Sequence, residues 1–183
     1  MQHRSDQGNY SRRDDRDDRR DDRRGRGTPL SDLDPALTNV SRQVIGAAIE
    51  VHKALGPGYP ESAYVQALCH ELDAQSIGYK IGASLPIMYK DKQIGTTAAD
   101  LFVDNRFIVE VMAQTGEVGS AERSALRAQL RSADVELGLI INFGERRLKD
   151  GLVRVLNPDK LNAMRGEGEH EEDGAETHDF DGQ

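Results

Sequence analysis

The chain has 183 residues, of which 37% are hydrophobic and 31% charged, with a net charge of −8 and a single cysteine, Cys69. That length is enough for one domain with a buried core. One cysteine excludes an internal disulfide, and the lack of a long apolar run excludes a signal peptide or membrane span, so a soluble protein of a reducing, cytoplasmic compartment is expected, with no membrane partner.

In chain order, residues 1–30 carry SRRDDRDDRRDDRRGR, alternating Arg and Asp blocks with nothing apolar to bury, and are expected to be a disordered tail. The segment 31–160 is expected to form the domain. Asp34-Pro35 suits a helix start, and Val44, Ile45, Ala48, Ile49, Val51 and Leu55 recur at helical spacing until Gly56-Pro57-Gly58. A second helix opens near Pro60-Glu61, with Tyr64, Leu68 and Leu72 along one stripe, and stops at Ser76-Ile77-Gly78. The period then changes to two. Ile81–Tyr89, whose Pro86 suits only an edge or first strand, precedes strands over Ala98–Val103 and Phe107–Met112 joined at Asp104-Asn105. Ser120 is placed to cap a helix running to about Arg131. Val135–Phe143, VELGLIINF, is apolar throughout, as in a strand covered on both faces, and Gly151–Leu156 is one more short element of undecided type. Residues 161–183 are expected to be a disordered tail; its eight acids and lack of Lys or Arg from Gly166 onward account for the net charge, since the middle of the chain is close to neutral.

One strand is anomalous. FIVEVM, residues 107–112, holds Glu110 within an apolar run and Met112 two residues on, on the same face. A carboxylate there either pairs with an arginine of the 120–131 helix or belongs to a site.

The stretch IGAAIEVHKALGPGYPESAYVQAL sets Gly58, Glu61 and Tyr64 in the spacing G-x-x-E-x-x-Y, and AADLFV, FIVEV, AQL and LGLIINFGERRLKDG follow in order. Over roughly residues 38–157 the chain resembles the GxxExxY family, a branch of the PD-(D/E)XK nuclease superfamily. The resemblance implies an α/β, restriction-endonuclease-like fold, an αβββαβ core with a mixed sheet flanked by helices. It also implies a divalent-metal site, Mg²⁺ or Mn²⁺, held by Asp100 and Glu110 with Glu61 as the helical acid, and a nucleic-acid substrate. Asp100, Glu110 and Gln129 are then the candidate catalytic residues. The family's lysine falls on Met112, a departure that leaves metal binding intact and puts hydrolysis in doubt, because a thioether carries no proton or charge. Gln114, or an inward-reaching Lys53, Lys80 or Lys90, is a conceivable substitute. The competing reading is a non-catalytic module for nucleic-acid or protein binding and assembly that kept the fold after losing the lysine; a third is a subunit whose lysine or partner surface comes from another chain, a protein partner or a second copy (homo-oligomer).

The hairpin tests the idea of a shared site. A two-residue turn at Asp104-Asn105 sets Asp100 opposite Val109 and turns it away from Glu110, so a common site requires a three-residue loop or a β-bulge, and such an irregularity is expected. Simpler readings stand beside the others: Tyr64 as packing, Gln129 as a surface amide, and Arg123, Arg127 and Arg131 as a solvated stripe or a phosphate contact. His52 and His70 read as packing or surface residues, and Cys69 as inert. The charged tails are solubilising, or else the Arg blocks contact nucleic acid or an acidic partner in competition with the acidic tail.

Overall fold

The computed structural model describes residues 33–160, and both expected tails lie outside them. The chain divides into two units, Met1–Asp34 and Pro35–Gln183, and every element below belongs to the second. In order these are α1 (Pro35–Leu55), α2 (Glu61–Ala74), β1 (Tyr79–Tyr89), β2 (Lys92–Val103), β3 (Phe107–Met112), α3 (Ser120–Ala133), β4 (Leu137–Asn142) and β5 (Leu152–Leu156). The sheet runs β1-β2-β3-β4-β5, with only the β3–β4 pair parallel. It is a mixed five-stranded sheet flanked by helices, an α/β architecture of the restriction-endonuclease kind.

The helical crossover α3 makes the parallel pair possible, since parallel neighbours cannot be joined by a tight turn. β4 is buried at all six positions, as its unbroken apolar run requires. β1, with Pro86, is an edge strand. The undecided segment near the end is β5, which pairs antiparallel with β4. β2 begins at Lys92, earlier than the expected Ala98, because Lys90 in the left-handed region lets the chain reverse tightly and zip residues 86–97 into a projecting ribbon.

Two helix details differ from the sequence reading. Ser120 is the first residue of α3 and makes no capping bond; Gly119 occupies the cap position, and the Glu122 carboxylate folds back over it, a favourable place for a negative charge. On α1 the buried stripe is Leu37, Thr38, Ser41, Val44, Ala47, Ala48 and Val51, while Ile49 is exposed. The apolar residues of α1 outnumber those the sheet can cover, so spacing alone overstates its buried face.

The run LGLIINFGERRLKDG is explained by close approach. A Cβ on Gly138 would stand 2.7–2.8 Å from three atoms of Leu126, so its absence lets α3 settle onto β4. A Cβ on Gly144 would collide with the Gln114 backbone. Between them Asn142, fully buried, donates its amide to Gln114 O (2.8 Å) and Gly116 O (3.0 Å) and accepts from Gln114 N and Gly144 N (both 3.1 Å). All four bonding positions of that side chain are used, and the chain leaving β3 is thereby fixed.

Tyr64 is a packing residue. It is fully buried, its ring lies parallel to Phe143 (5°, centroids 4.6 Å apart), and its hydroxyl donates to Gly56 O (2.7 Å) and accepts from Tyr59 N (3.1 Å). The G-x-x-E-x-x-Y spacing thus ties the α1–α2 loop to the start of α2. His52 is likewise structural, with Nε2 2.9 Å from Glu145 O and its ring on Phe143. Cys69 is buried, and burial pushes its thiol up, away from the reactive thiolate.

Candidate metal centre

The β2–β3 hairpin pairs Leu101 with Val109, Phe102 with Ile108 and Val103 with Phe107, leaving a three-residue loop, 104–106. Asp104 and Asn105 both take φ near +50°, and Arg106 N donates to Val103 O (2.9 Å). This is the irregular hairpin that a shared site requires. One step further along the same register brings Asp100 opposite Glu110.

At that step the regular ladder stops and the two carboxylates take its place. Asp100 Oδ2 accepts Val111 N (2.8 Å), and Glu110 Oε1 accepts Asp100 N (3.3 Å). Each acid thus holds the backbone of the opposite strand, while β3 turns its other edge to β4, pairing Glu110 with Ile140 and Met112 with Asn142. The strands diverge here, and a cleft of about 260 Å³ opens beneath the N-terminal half of α3.

Asp100 and Glu110 line this cleft, joined by Glu61 at the start of α2 and Glu122 at the start of α3. Met112 and Gln114 line it too, and among the described residues no Lys, Arg or His does. The expected substitutes Lys53, Lys80 and Lys90 are elsewhere: Lys53 pairs with Glu50 on the surface and Lys90 lies over the Tyr89 ring. The alternative role for Glu110, a partner for an α3 arginine, is not what forms. Arg123 donates to Val118 O and Arg131 pairs with Asp159, and both are solvent-facing, like Arg127.

Gln129 is not a surface amide. It is 8% exposed, its Nε2 donates to Ala98 O (3.1 Å), and its Oε1 is buried with no partner. Its match in the sequence, AQL, marked it, and its position three residues after Leu126, on the face shared with Leu130, was the signal that it turns inward. Glu122 and Asn142 were missed altogether, since a first-turn acid and an asparagine closing an apolar strand look ordinary.

Burial, and then the neighbouring charge of Asp100, raise the Glu110 carboxyl from 4.5 to about 7; the bond from Asp100 N and the Gln129 amide oppose that rise, and Glu61 adds to it. Among the described residues the cleft is lined by four acids and no cationic side chain, so their negative charge is not balanced there. The donors are hard oxygens, the class that suits Mg²⁺ or Mn²⁺, and Asp100 and Glu110 each commit one oxygen to a backbone amide and keep a second. Asp100 and Glu110 therefore fit the role of a metal-holding pair. Glu61 shares their cleft without closing a cluster: among the described residues no group of three or more His, Cys, Asp or Glu side chains is set to hold a metal ion.

A mixed sheet whose hairpin brings two acids face to face at the mouth of a cleft defines a restriction-endonuclease-like protein. The family model for the PD-(D/E)XK nuclease superfamily matches residues 38–155, and the chain belongs to that superfamily. No curated protein and no solved structure gives a match. Nucleases of this superfamily generally use divalent metals. No helix among the described residues is long and apolar enough to cross a membrane.

Proposed function

We propose that this chain, a member of the GxxExxY branch, is a metal-dependent nuclease-like protein that binds nucleic acid and cleaves it slowly at most. The observation that carries this reading is the facing pair Asp100 and Glu110, each bonded to the other's strand, in a cleft that no cationic side chain among the described residues lines. Asp100 and Glu110 would hold Mg²⁺ or Mn²⁺, with Glu61 as a further acid of the same cleft. Such an ion would supply Lewis acidity.

The chain's own residues do the rest. Glu110, half protonated near neutral pH, would have to give that proton up to hold a cation. Gln129 stands in the cleft wall with Nε2 bonded to Ala98 O and its Oε1 buried. Met112 fills the place from which a lysine would orient water and balance charge, and it can do neither. A second reading draws on that same side chain: a binding or assembly module that keeps the fold and the ion without turnover.

Met112→Lys separates the two. With the rest of the site competent, the substitution raises Mg²⁺- or Mn²⁺-dependent cleavage of labelled DNA or RNA by on the order of 10²-fold, the scale of one positioned acid–base group. Cleavage that stays at the wild-type level, with ion binding retained by calorimetry, assigns the protein to the binding class.

A further inference from the structure

A second concavity of about 500 Å³ lies between the outer arm of β1 and α3. Its volume is in the range of roughly 300–1,000 Å³ typical of small-ligand sites. One wall is Pro86, Ile87 and Met88; the other is Ala125, Ala128 and Ser132. It exists because α3 presents small side chains to a β1 arm that projects beyond the core. A bond from Ser132 Oγ to Pro86 O ties the two walls together at one end. At the other end the groove meets the acidic cleft, and Ala125 and Gln129 line both.

Three features define an occupant. The groove has two apolar walls, one of them lined by small side chains that leave room for a plate-like group. Its polar feature at the junction is the Gln129 side chain, more than nine-tenths buried, whose Oε1 has no partner in the fold and is itself closed to solvent, so a turn of the amide is needed to present it. Finally, it adjoins the carboxylate pair where the reading above sets a phosphodiester, so whatever enters is attached to that phosphate. We infer that the groove is a nucleobase subsite for the residue next to the phosphate in the cleft, and that the substrate is single-stranded or locally unpaired nucleic acid.

A base has apolar faces for the two walls and a polar edge that the Gln129 amide can meet once turned toward the groove; bases removed from a stack are held in this manner, between apolar side chains with their edges hydrogen-bonded. A base within a duplex is already stacked and paired, so it reaches the groove only at the cost of extraction. Arg131 lines the rim, where its guanidinium would have to exchange its surface pair with Asp159 for a flanking phosphate.

The inference rests on the nuclease-like reading, and the test separates the two. Fluorescence anisotropy is measured on the full chain in Ca²⁺, with labelled single-stranded oligomers of DNA and RNA, a duplex of the same sequence, and an abasic strand of the same length. The expected order is single strand tightest, with duplex and abasic strand each weaker by on the order of tenfold, the scale of one stacked base. Ala128→Trp, which fills the groove, and Met88→Glu, at a position 53% exposed and tolerant of change, each weaken single-strand binding by about tenfold and leave the abasic strand unaffected. Equal affinity for abasic and base-bearing strands, or indifference to both substitutions, overturns the base subsite while nucleic-acid binding stands. Failure of every probe to bind overturns both.

Discussion

Replacing Glu110 by Gln isolates the electrostatic cost of the cleft. The carboxyl titrates at 4.5 when unperturbed and at about 7 in the fold, chiefly through burial and then through the charge of Asp100. A folded value above the unfolded one means that the unfolded chain loses its proton first. Below pH 4.5 both states are protonated and nothing is lost; from 4.5 to 7 the fold is progressively penalised; above 7 the penalty is complete. Its size is about 3 kcal/mol for full burial, or about 2 kcal/mol once the partial exposure of the group is allowed for. Glutamine keeps the oxygen that accepts Asp100 N and never ionises. In a chelating buffer the advantage of Glu110→Gln over wild type, measured by urea unfolding, therefore grows by about 2 kcal/mol between pH 5 and pH 8. Adding Mg²⁺ or Mn²⁺ at pH 8 narrows that gap by stabilising the wild type alone. Parallel stability curves for the two proteins across that pH range would refute the reasoning, because they would mean that the Glu110 carboxylate is as well solvated in the fold as in the unfolded chain.

Other positions carry sharper expectations. Asn142→Ala strips partners from Gln114 N, Gln114 O, Gly116 O and Gly144 N, and is expected to cost on the order of 3 kcal/mol by chemical denaturation. Tyr64→Phe keeps the ring on Phe143 but loses the bonds to Gly56 O and from Tyr59 N; it should lower stability by about 1–2 kcal/mol while leaving ion affinity by calorimetry unchanged. Gly138→Ala drives a methyl into Leu126 and should cost about 1–3 kcal/mol, part of which returns when Leu126→Ala is added, as a double-mutant cycle would record.

Much of the fold was legible because local and global signals agree. The Tyr64, Leu68 and Leu72 stripe is fully buried, the apolar run of β4 is covered on both faces, and Pro86 lies on an edge. An irregularity at Asp104-Asn105 followed from pairing parity together with the resemblance, since a three-residue loop or a β-bulge is needed to put Asp100 and Glu110 on one face, and the loop is the one that forms. Extents were harder to read. The β1–β2 ribbon past Leu85 has few buried side chains and so little alternation, and Lys90, Asp104 and Asn105 hold positive φ without glycine. Least visible were long-range relations: Gln129 turning inward to Ala98 O, Asn142 gathering the β3 exit, and the groove that small residues of α3 leave against β1. Gln129 falls on the Leu126 and Leu130 stripe, but its partner does not show in any periodicity, and neither do the other two, because each depends on where a distant segment comes to rest.

The same carboxylates that make a site also interrupt the sheet. Had residues 100 and 110 been apolar, the β2–β3 ladder could run on and the Val111 and Asp100 amides would find carbonyl partners; with acids there, side chains take those amides and the strands separate. The opening therefore needs both acids, whereas the pH-dependent penalty falls on Glu110. An apolar or amide replacement at Glu110 removes the penalty and with it half of the facing pair, so a chain that keeps the acid keeps an instability that a cation relieves. Met112 alters the balance in the same direction: a lysine there would offset part of the negative charge without any ion, and methionine leaves the whole of it for a cation to neutralise. Met112→Lys should accordingly weaken the stabilisation by Mg²⁺ even as it improves catalysis, a reversal that simple loss or gain of folding cannot produce.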